Sequence, residues 1–381
     1  MSYLHNYPSA TTAYDNSPSS SGVCISAWES GPVESFKDSH PSSTVGTPES
    51  IPKLIADTWV LEVDDKIGQG SFGEVYAATD KQTGKSYAVK LELKSSGRNL
   101  EHEYAIYQTL RHLDGLPYIH HFGSEGDYNV IVMDRLGPSL KNLLLMSQSG
   151  KLPVRTVAYI ALQLLDRLHD IHHAGIVFRD VKPDQFCVGR HTDDITQSPQ
   201  IFVIDFGLAT PFREDGRHIK NARRGGKGKH KTGTARYASV NVHKGSEHTR
   251  RDDLESLAYI FIELLRGSLP WVGMRAITAA QGWRKIGECK ADTLSVDLTA
   301  GMPEEFSTFL EYARELSFAE EPNYEYCKGL FKQVWNSLQN GPESGVLDWG
   351  GDPSETRTTS PRETTSRTND AFRNGRPSQE Q

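Results

Sequence analysis

The sequence predicts an α+β domain of two lobes, a small antiparallel β lobe with one helix followed by a larger, mainly helical lobe. Three observations lead there. Segments 59–67, 74–78 and 86–93 are rich in branched and aromatic residues and are separated by a glycine cluster and by the turn signal Lys81-Gln-Thr-Gly84, the pattern of antiparallel neighbours. Beyond about residue 139, Ile160, Leu164, Leu168 and Ile171 recur at helical spacing, and Gly175 stands where such a helix would stop. Residues 254–265 are apolar nearly all round, which marks a helix running through a core.

With 381 residues, 36% of them hydrophobic, the chain can bury one sizeable core. Half of the first fifty residues are Ser, Thr, Pro or Gly, and Thr, Ser, Arg and Glu dominate after residue 341. Neither stretch can bury enough surface to offset its ordering entropy. The expected organisation is therefore a disordered tail over 1–55, a folded domain over 56–340 with lobes at about 58–134 and 135–340, and a second tail over 341–381. No internal repeat is present.

Forty-nine acidic and 42 basic residues leave a net charge of −7, which gives no general attraction to nucleic acid or anionic membrane. The four cysteines lack C-x-x-C spacing and suit a reducing compartment. No run approaches the ~18 apolar residues of a membrane span. The start shows no signal-sequence pattern and the end has no cysteine to carry a lipid. The expectation is a soluble cytoplasmic or nuclear chain that binds no nucleic acid and has no membrane anchor.

The first chemical motif is Gly68-Gln69-Gly70-Ser71-Phe72-Gly73. A G-x-G-x-x-G run also opens dinucleotide-binding folds, but there a helix follows, whereas Glu74-Val-Tyr-Ala-Ala78 continues as a strand. The glycines of such a strand-loop-strand flap let backbone N–H groups approach phosphate oxygens, with Phe72 at the tip to exclude water. Next, Tyr87-Ala88-Val-Lys90 puts a lysine in an apolar strand. A buried lysine is costly unless it meets a carboxylate, for which Glu103 is the candidate and Glu101 the alternative.

Arg179-Asp180-Val-Lys182-Pro-Asp-Gln185 and Asp205-Phe-Gly207 complete the series. Phosphoryl transfer needs a carboxylate to receive or orient the hydroxyl proton, a cation near the γ-phosphate and a metal-binding group. Asp180, Lys182 and Asp205 fit these roles in turn. Either aspartate alone would read as a surface or capping residue; the ordered series is what carries the meaning.

This series resembles a protein kinase, and Asp180-x-Lys182 resembles the Ser/Thr branch. Tyr128-Asn-Val-Ile-Val-Met133, Leu136-Gly-Pro-Ser-Leu140, Thr232-Gly-Thr-Ala-Arg-Tyr-Ala-Ser239, Arg250-Arg-Asp-Asp-Leu-Glu-Ser-Leu257 and Gly267-Ser-Leu-Pro-Trp271 are similar to casein kinase 1, and Ser239-Val-Asn241 replaces the Ala-Pro-Glu of most kinases. The similarity covers about residues 58 to 338. It implies the two-lobed eukaryotic protein kinase fold, with a monomer transferring the γ-phosphate of ATP, with Mg²⁺, to Ser or Thr of protein substrates. It further implies that ATP lies against Ile67, Gly68, Gln69, Gly70, Ser71, Phe72, Gly73, Val75, Ala88, Lys90, Glu103, Met133, Asp134 and Leu136, with Met133 bordering the adenine and 134–136 as the hinge. Asp205 and Gln185 would hold the metal. Asp180, Lys182 and Thr234 would be catalytic, Asp253 would brace the catalytic loop, and Arg236 and Gly273 would meet a substrate anion.

Two catalytic-loop positions depart from the family pattern, Phe178 for His and Gln185 for Asn. Phe178 keeps apolar burial against the Phe of Asp-Phe-Gly. Gln185 offers the same carboxamide on a side chain one methylene longer, and octahedral Mg²⁺ tolerates misplacement poorly. An error of ~1 Å can cost on the order of 10²-fold in rate. The alternative function is therefore an ATP-binding pseudokinase scaffold. Residues 213–231 hold eight Lys or Arg against two acids, which suits an acidic or phosphorylated protein partner or a solvated loop. A basic stretch common in the family reads Ala279-Ala-Gln-Gly282 here, leaving Arg284 and Lys285 as substitutes for the missing phosphate-site lysine.

Overall fold

Alternating branched, small and aromatic side chains fold the first lobe as one antiparallel sheet. The computed structural model describes residues 51–70, 73–97, 100–190, 200–221 and 232–338. Strands β1 (Leu54–Ile55), β2 (Trp59–Gly70), β3 (Gly73–Asp80) and β4 (Ser86–Leu93) are followed by helix α1 (Leu100–Leu110) and by β5 (Ile119–Glu125) and β6 (Tyr128–Asp134). The sheet runs in the order β1-β2-β3-β4-β6-β5. Its ladder breaks register between Glu62 and Gly68, at the polar run Asp64-Asp-Lys66. One face buries Leu61, Tyr76, Val89, Leu91, Val130 and Val132 in a single cluster.

The second lobe is built on α2 (Leu140–Met146), α3 (Val154–His173), α4 (Val240–His243), α5 (Arg250–Arg266), α6 (Ala279–Asp292), α7 (Ser295–Leu298), α8 (Glu304–Glu315) and α9 (Tyr324–Ser337). Short strands β7 (Ile176–Val177), β8 (Phe186–Val188), β9 (Ile201–Val203) and β10 (Thr210–Pro211) flank the motif-bearing loops, and β11 (Arg213–Glu214) and β12 (Arg217–His218) form a small hairpin. Helix α5 is buried on almost every side. Its Phe261 meets Phe306 and Phe309 of α8 and Phe331 of α9 with ring centroids 5.2–6.4 Å apart. A capping box, with Thr249 and Asp252 satisfying each other's backbone N–H groups, starts the helix.

The two-lobed kinase fold is present. The expected domain start at residue 56 is too late, because Leu54 and Ile55 pair with Val60 and Trp59 and Ile55 is fully buried. The strands read as 59–67 and 74–78 extend to Gly70 and from Gly73 to Asp80, since ladder bonds continue through the glycines. Tail residues 1–50 and 339–381, the loop tip Ser71 and Phe72, and residues 222–231 of the basic segment lie outside the described residues. Among the described residues no helix is long and apolar enough to cross a membrane. Truncating Phe331 to Ala leaves a cavity among three aromatic rings, Phe261, Phe306 and Phe309, and should cost about 3–5 kcal/mol; a chemical-denaturation midpoint close to that of the unaltered protein would contradict this packing.

Candidate active site

Three elements place the strand lysine. In β4, Lys90 stands between Val75 of β3 and Ile131 of β6, so its side chain leaves a central strand. Its Nζ donates to Glu103 Oε2 at 2.6 Å and to Asp205 Oδ1 at 3.0 Å. Glu103 is buried on α1 and Glu101 is exposed, which decides between the two candidates. Burial pulls the Lys90 ammonium down, but Glu103 and Asp205 together push it above its ordinary value. Burial pushes Glu103 up, to about 7, against the pull of Lys90. Asp205 is held below its ordinary range: burial would raise it, and Lys90, Gln185 and Lys182 outweigh that.

The glycine hairpin lies beside this cluster. Gly68 pairs with Val75 and Gly70 with Gly73. Gly73 has φ +136°, and a Cβ there would stand 2.5 Å from the Leu91 carbonyl oxygen. Only glycine lets β3 pass so close to β4. Val75, Ala88 and Met133 share one apolar cluster, and Ile67 is 41% exposed. In the connection between lobes, Asp134 accepts from the Tyr118 N–H at 2.9 Å and from His120 at 2.7 Å, while Leu136 is half-buried.

The loop 178–185 brings the second group together. Asp180 accepts from Lys182 Nζ at 2.5 Å and from the Thr234 hydroxyl at 2.8 Å. The Gln185 carboxamide spans the two aspartates, its Nε2 lying 3.0 Å from Asp205 Oδ2 and 3.4 Å from Asp180 Oδ2. Arg179 and Asp205 adopt φ of +72° and +65°, a left-handed backbone that a non-glycine residue keeps only when its surroundings enforce it. For Asp205 the enforcement is visible. Its N–H donates to the Tyr107 hydroxyl at 3.1 Å, and the next ring, Phe206, packs edge-on against Tyr107 and Phe178. Phe178 thus fills the family's His position by ring packing.

For Arg179 the enforcement is Asp253, fully buried on α5. It accepts from the backbone N–H of Phe178 at 2.7 Å and of Arg179 at 2.9 Å. It also accepts from His172 at 2.9 Å and His248 at 3.0 Å, and His172 Nδ1 faces the Tyr324 hydroxyl. A carboxylate only accepts, so His172 carries its proton on Nε2 and Tyr324 donates to Nδ1. Burial lowers the His172 pKa. Asp253 is held well below the usual carboxylate range: burial would raise it, and the two imidazoles outweigh that.

The segment after residue 231 carries the remaining expected residues. Gly233, at φ +86°, would place a Cβ 2.7 Å from the Arg179 carbonyl oxygen, so glycine is required where Thr234 reaches Asp180. The Arg236 carbonyl accepts from Trp271 Nε1 at 2.8 Å, which sets the chain leading to Gly273 beside it. Of the suggested substitutes for the missing cation, Arg284 pairs with Glu288 at 2.8 Å and Lys285 donates to the Arg275 carbonyl at 2.9 Å. Their own helix and its preceding loop satisfy them.

Several residues of the site were not anticipated. His102, next to Glu103, bonds the Ala209 carbonyl at 2.8 Å and so links α1 to the chain after Asp205-Phe-Gly207. Lys290 is completely buried and donates to the carbonyls of Ala235 at 3.0 Å and Ala238 at 2.6 Å, its Nζ over the rings of Tyr259 and Trp271. Its signal was available: Trp283, Gly287 and Lys290 fall on one helical face. Tyr107 was similarly legible, one turn beyond Glu103.

The buried histidine gives a pH dependence. Because folding lowers the His172 pKa below its ordinary 6.5, the unfolded chain binds more protons below that pH, and stability falls as pH drops. Asp253, held well below the usual carboxylate range, adds to the loss only in stronger acid. The His172 contribution to the melting temperature should therefore fall between pH 7.5 and 5.5, against an opposite contribution from Glu103, whose raised pKa favours the folded chain as pH drops through about 7. His172→Gln, which still donates but does not titrate, should flatten that fall; equal slopes in the two proteins would contradict the assignment.

The protein kinase domain family matches residues 61–329. The chain is 41% identical over 291 residues to casein kinase I homolog 1 of Schizosaccharomyces pombe, covering 76% of this chain and 64% of the relative. Homolog 2 of the same yeast is 40% identical, covering 75% and 65%. The chain thus spans slightly less than two thirds of the length of these relatives. With the matched domain enclosing every element of the site, the chain belongs to the protein kinase family, in its casein kinase 1 branch.

Proposed function

We propose that this chain is a Ser/Thr protein kinase that transfers the γ-phosphate of ATP to hydroxyls of acidic or phosphorylated protein substrates. The observation that carries the reading is the convergence of Lys182 and Thr234 on the Asp180 carboxylate, with Gln185 bridging to Asp205 and Asp205 to Lys90. In this reading Asp180 takes the hydroxyl proton as the oxygen attacks phosphorus, Lys182 meets charge developing on the γ-phosphate, and Lys90, oriented by Glu103, holds the other phosphates. The oxygen donors of Asp205 and Gln185 suit a hard divalent cation. When bound, Mg²⁺ would neutralise charge on the phosphate oxygens. The acidic preference draws on the eight basic residues of 213–231 and on partly exposed cations beside the catalytic loop.

One observation favours a second reading, an ATP-binding scaffold: the Gln185 amide nitrogen, a donor, sits 3.0 Å from the carboxylate that would bind metal. Transfer of labelled phosphate from Mg-ATP to an acidic protein separates the two. An enzyme should lose about 10²- to 10⁴-fold in rate in Asp180→Asn, the range of a general base, and lose transfer in Lys90→Ala. Gln185→Asn should raise the rate by up to about 10²-fold if metal placement limits it. No transfer in any form, with ATP-dependent thermal stabilisation that Lys90→Ala abolishes, would overturn the kinase reading in favour of the scaffold.

A further inference from the structure

Between Asp134 and Leu136, in the connection between the lobes, stands Arg135, whose guanidinium reaches back into the first lobe. Its Nη1 donates to the Ser86 hydroxyl at 3.0 Å and its Nη2 to Asp65 Oδ2 at 3.2 Å. The side chain is 25% exposed and that of Asp65 48%. Ser86 belongs to β4 and Asp65 to β2, and in the sheet β3 lies between these strands. The planar fork of the arginine therefore joins two strands that are not neighbours.

Both partners bear on the nucleotide side of the sheet. Side chains alternate along a strand, so Ser86 shares the face of Ala88 and Lys90, the face from which Lys90 meets Glu103 and Asp205. Asp65 stands three residues before Gly68, in the irregular part of β2. There the ladder pairs Glu62 with Ala77 and Lys66 with Tyr76, so Val63, Asp64 and Asp65 bulge between two consecutive residues of β3. A second slip follows between Lys66 and Gly68. A bulge interrupts the ladder and bends its strand. The height of the glycine hairpin beyond it thus depends on side chains, Lys66 tied to Glu74 of the hairpin itself at 2.6 Å and Asp65 tied to Arg135 of the lobe connection.

We propose that Arg135 is a positioning residue for the nucleotide: by fastening the bulged part of β2 to the lobe connection, it holds the hairpin of Gly68, Gly70 and Gly73 down over the phosphates and strengthens ATP binding. The inference rests on the ATP-dependent reading above and adds to it a residue that touches no reacting atom. A hairpin already held in place loses less freedom when the nucleotide arrives. The pair contributes to binding by the amount that it is stronger with the hairpin closed than with it open.

The test measures the Kd of the unreactive β,γ-imido analogue of ATP with Mg²⁺, and KM and kcat for ATP itself. Arg135→Met keeps the stem and loses both bonds, and Asp65→Ala loses one. Each should raise Kd and KM about two- to fivefold, the range of a partly exposed ion pair, and the loss should fall on KM rather than kcat. The direction is diagnostic. As isolated charges near an anionic triphosphate, a lost cation would weaken binding and a lost acid would strengthen it, whereas the latch requires both losses to weaken it. Asp64→Asn removes a neighbouring acid outside the pair and should not weaken binding. The double variant should bind no worse than Arg135→Met alone, since both substitutions remove the same pair. Tighter or unchanged binding in Asp65→Ala, effects that add in the double variant, or a loss confined to kcat would overturn the inference. Failure of the unaltered protein to bind the analogue at all would count against the ATP reading, and the inference would fall with it.

Discussion

One buried carboxylate determines the shape of the catalytic loop. Asp253 accepts from two consecutive backbone N–H groups and two imidazoles, all out of water. Removing a partner from such an ion leaves an uncompensated charge in the interior, worth about 3–5 kcal/mol in comparable buried pairs. Those two N–H groups belong to Phe178 and Arg179, so the left-handed Arg179 and the direction of Asp180 follow from where Asp253 stands. That position in turn is set by α5, the most enclosed helix of the second lobe. The aromatic packing of Phe261 and the geometry of Asp180 are thus connected through a single rigid element.

Helix α1 does for Asp205 what α5 does for Asp180. It supplies Glu103 to Lys90, Tyr107 to the Asp205 backbone and His102 to the Ala209 carbonyl, three bonds from little more than one turn. A shift of α1 away from the sheet would break all three together. The lysine would lose its carboxylate, and Asp205 would lose part of what maintains its left-handed backbone. The cluster is therefore cooperative: its members are in place together or not at all.

Much of this was legible in the chain. Lys90 announced itself as a charge in an apolar strand, and the ordered series from the glycine hairpin to Asp205-Phe-Gly207 tied the motifs together. The turn residues marked the ends of β3 and β4 closely, while β2 ran further than read because glycines kept up the ladder. What stayed hidden were contacts whose partners are backbone atoms or lie far away in sequence. The His102 bond to Ala209 crosses 107 residues, and the His172 bond to Asp253 crosses 81. Glu263 was missed for another reason. Reading α5 as apolar nearly all round counted its hydrophobic side chains and passed over a carboxylate whose partners, Tyr237, Arg236 and Lys141, come from other segments.

Lys290 gives the second lobe an internal anchor. The carbonyls it holds belong to Ala235 and Ala238, in the segment that also presents Thr234 to Asp180, and burial draws its ammonium away from its usual proton affinity. For that segment to swing outward, Nζ would have to lose both carbonyl acceptors and remain between two aromatic rings with no water to replace them. The surface on which a peptide would rest is in this sense hung from the interior of the lobe rather than fastened at its rim. Its order is a property of folding itself, acquired when α6 docks.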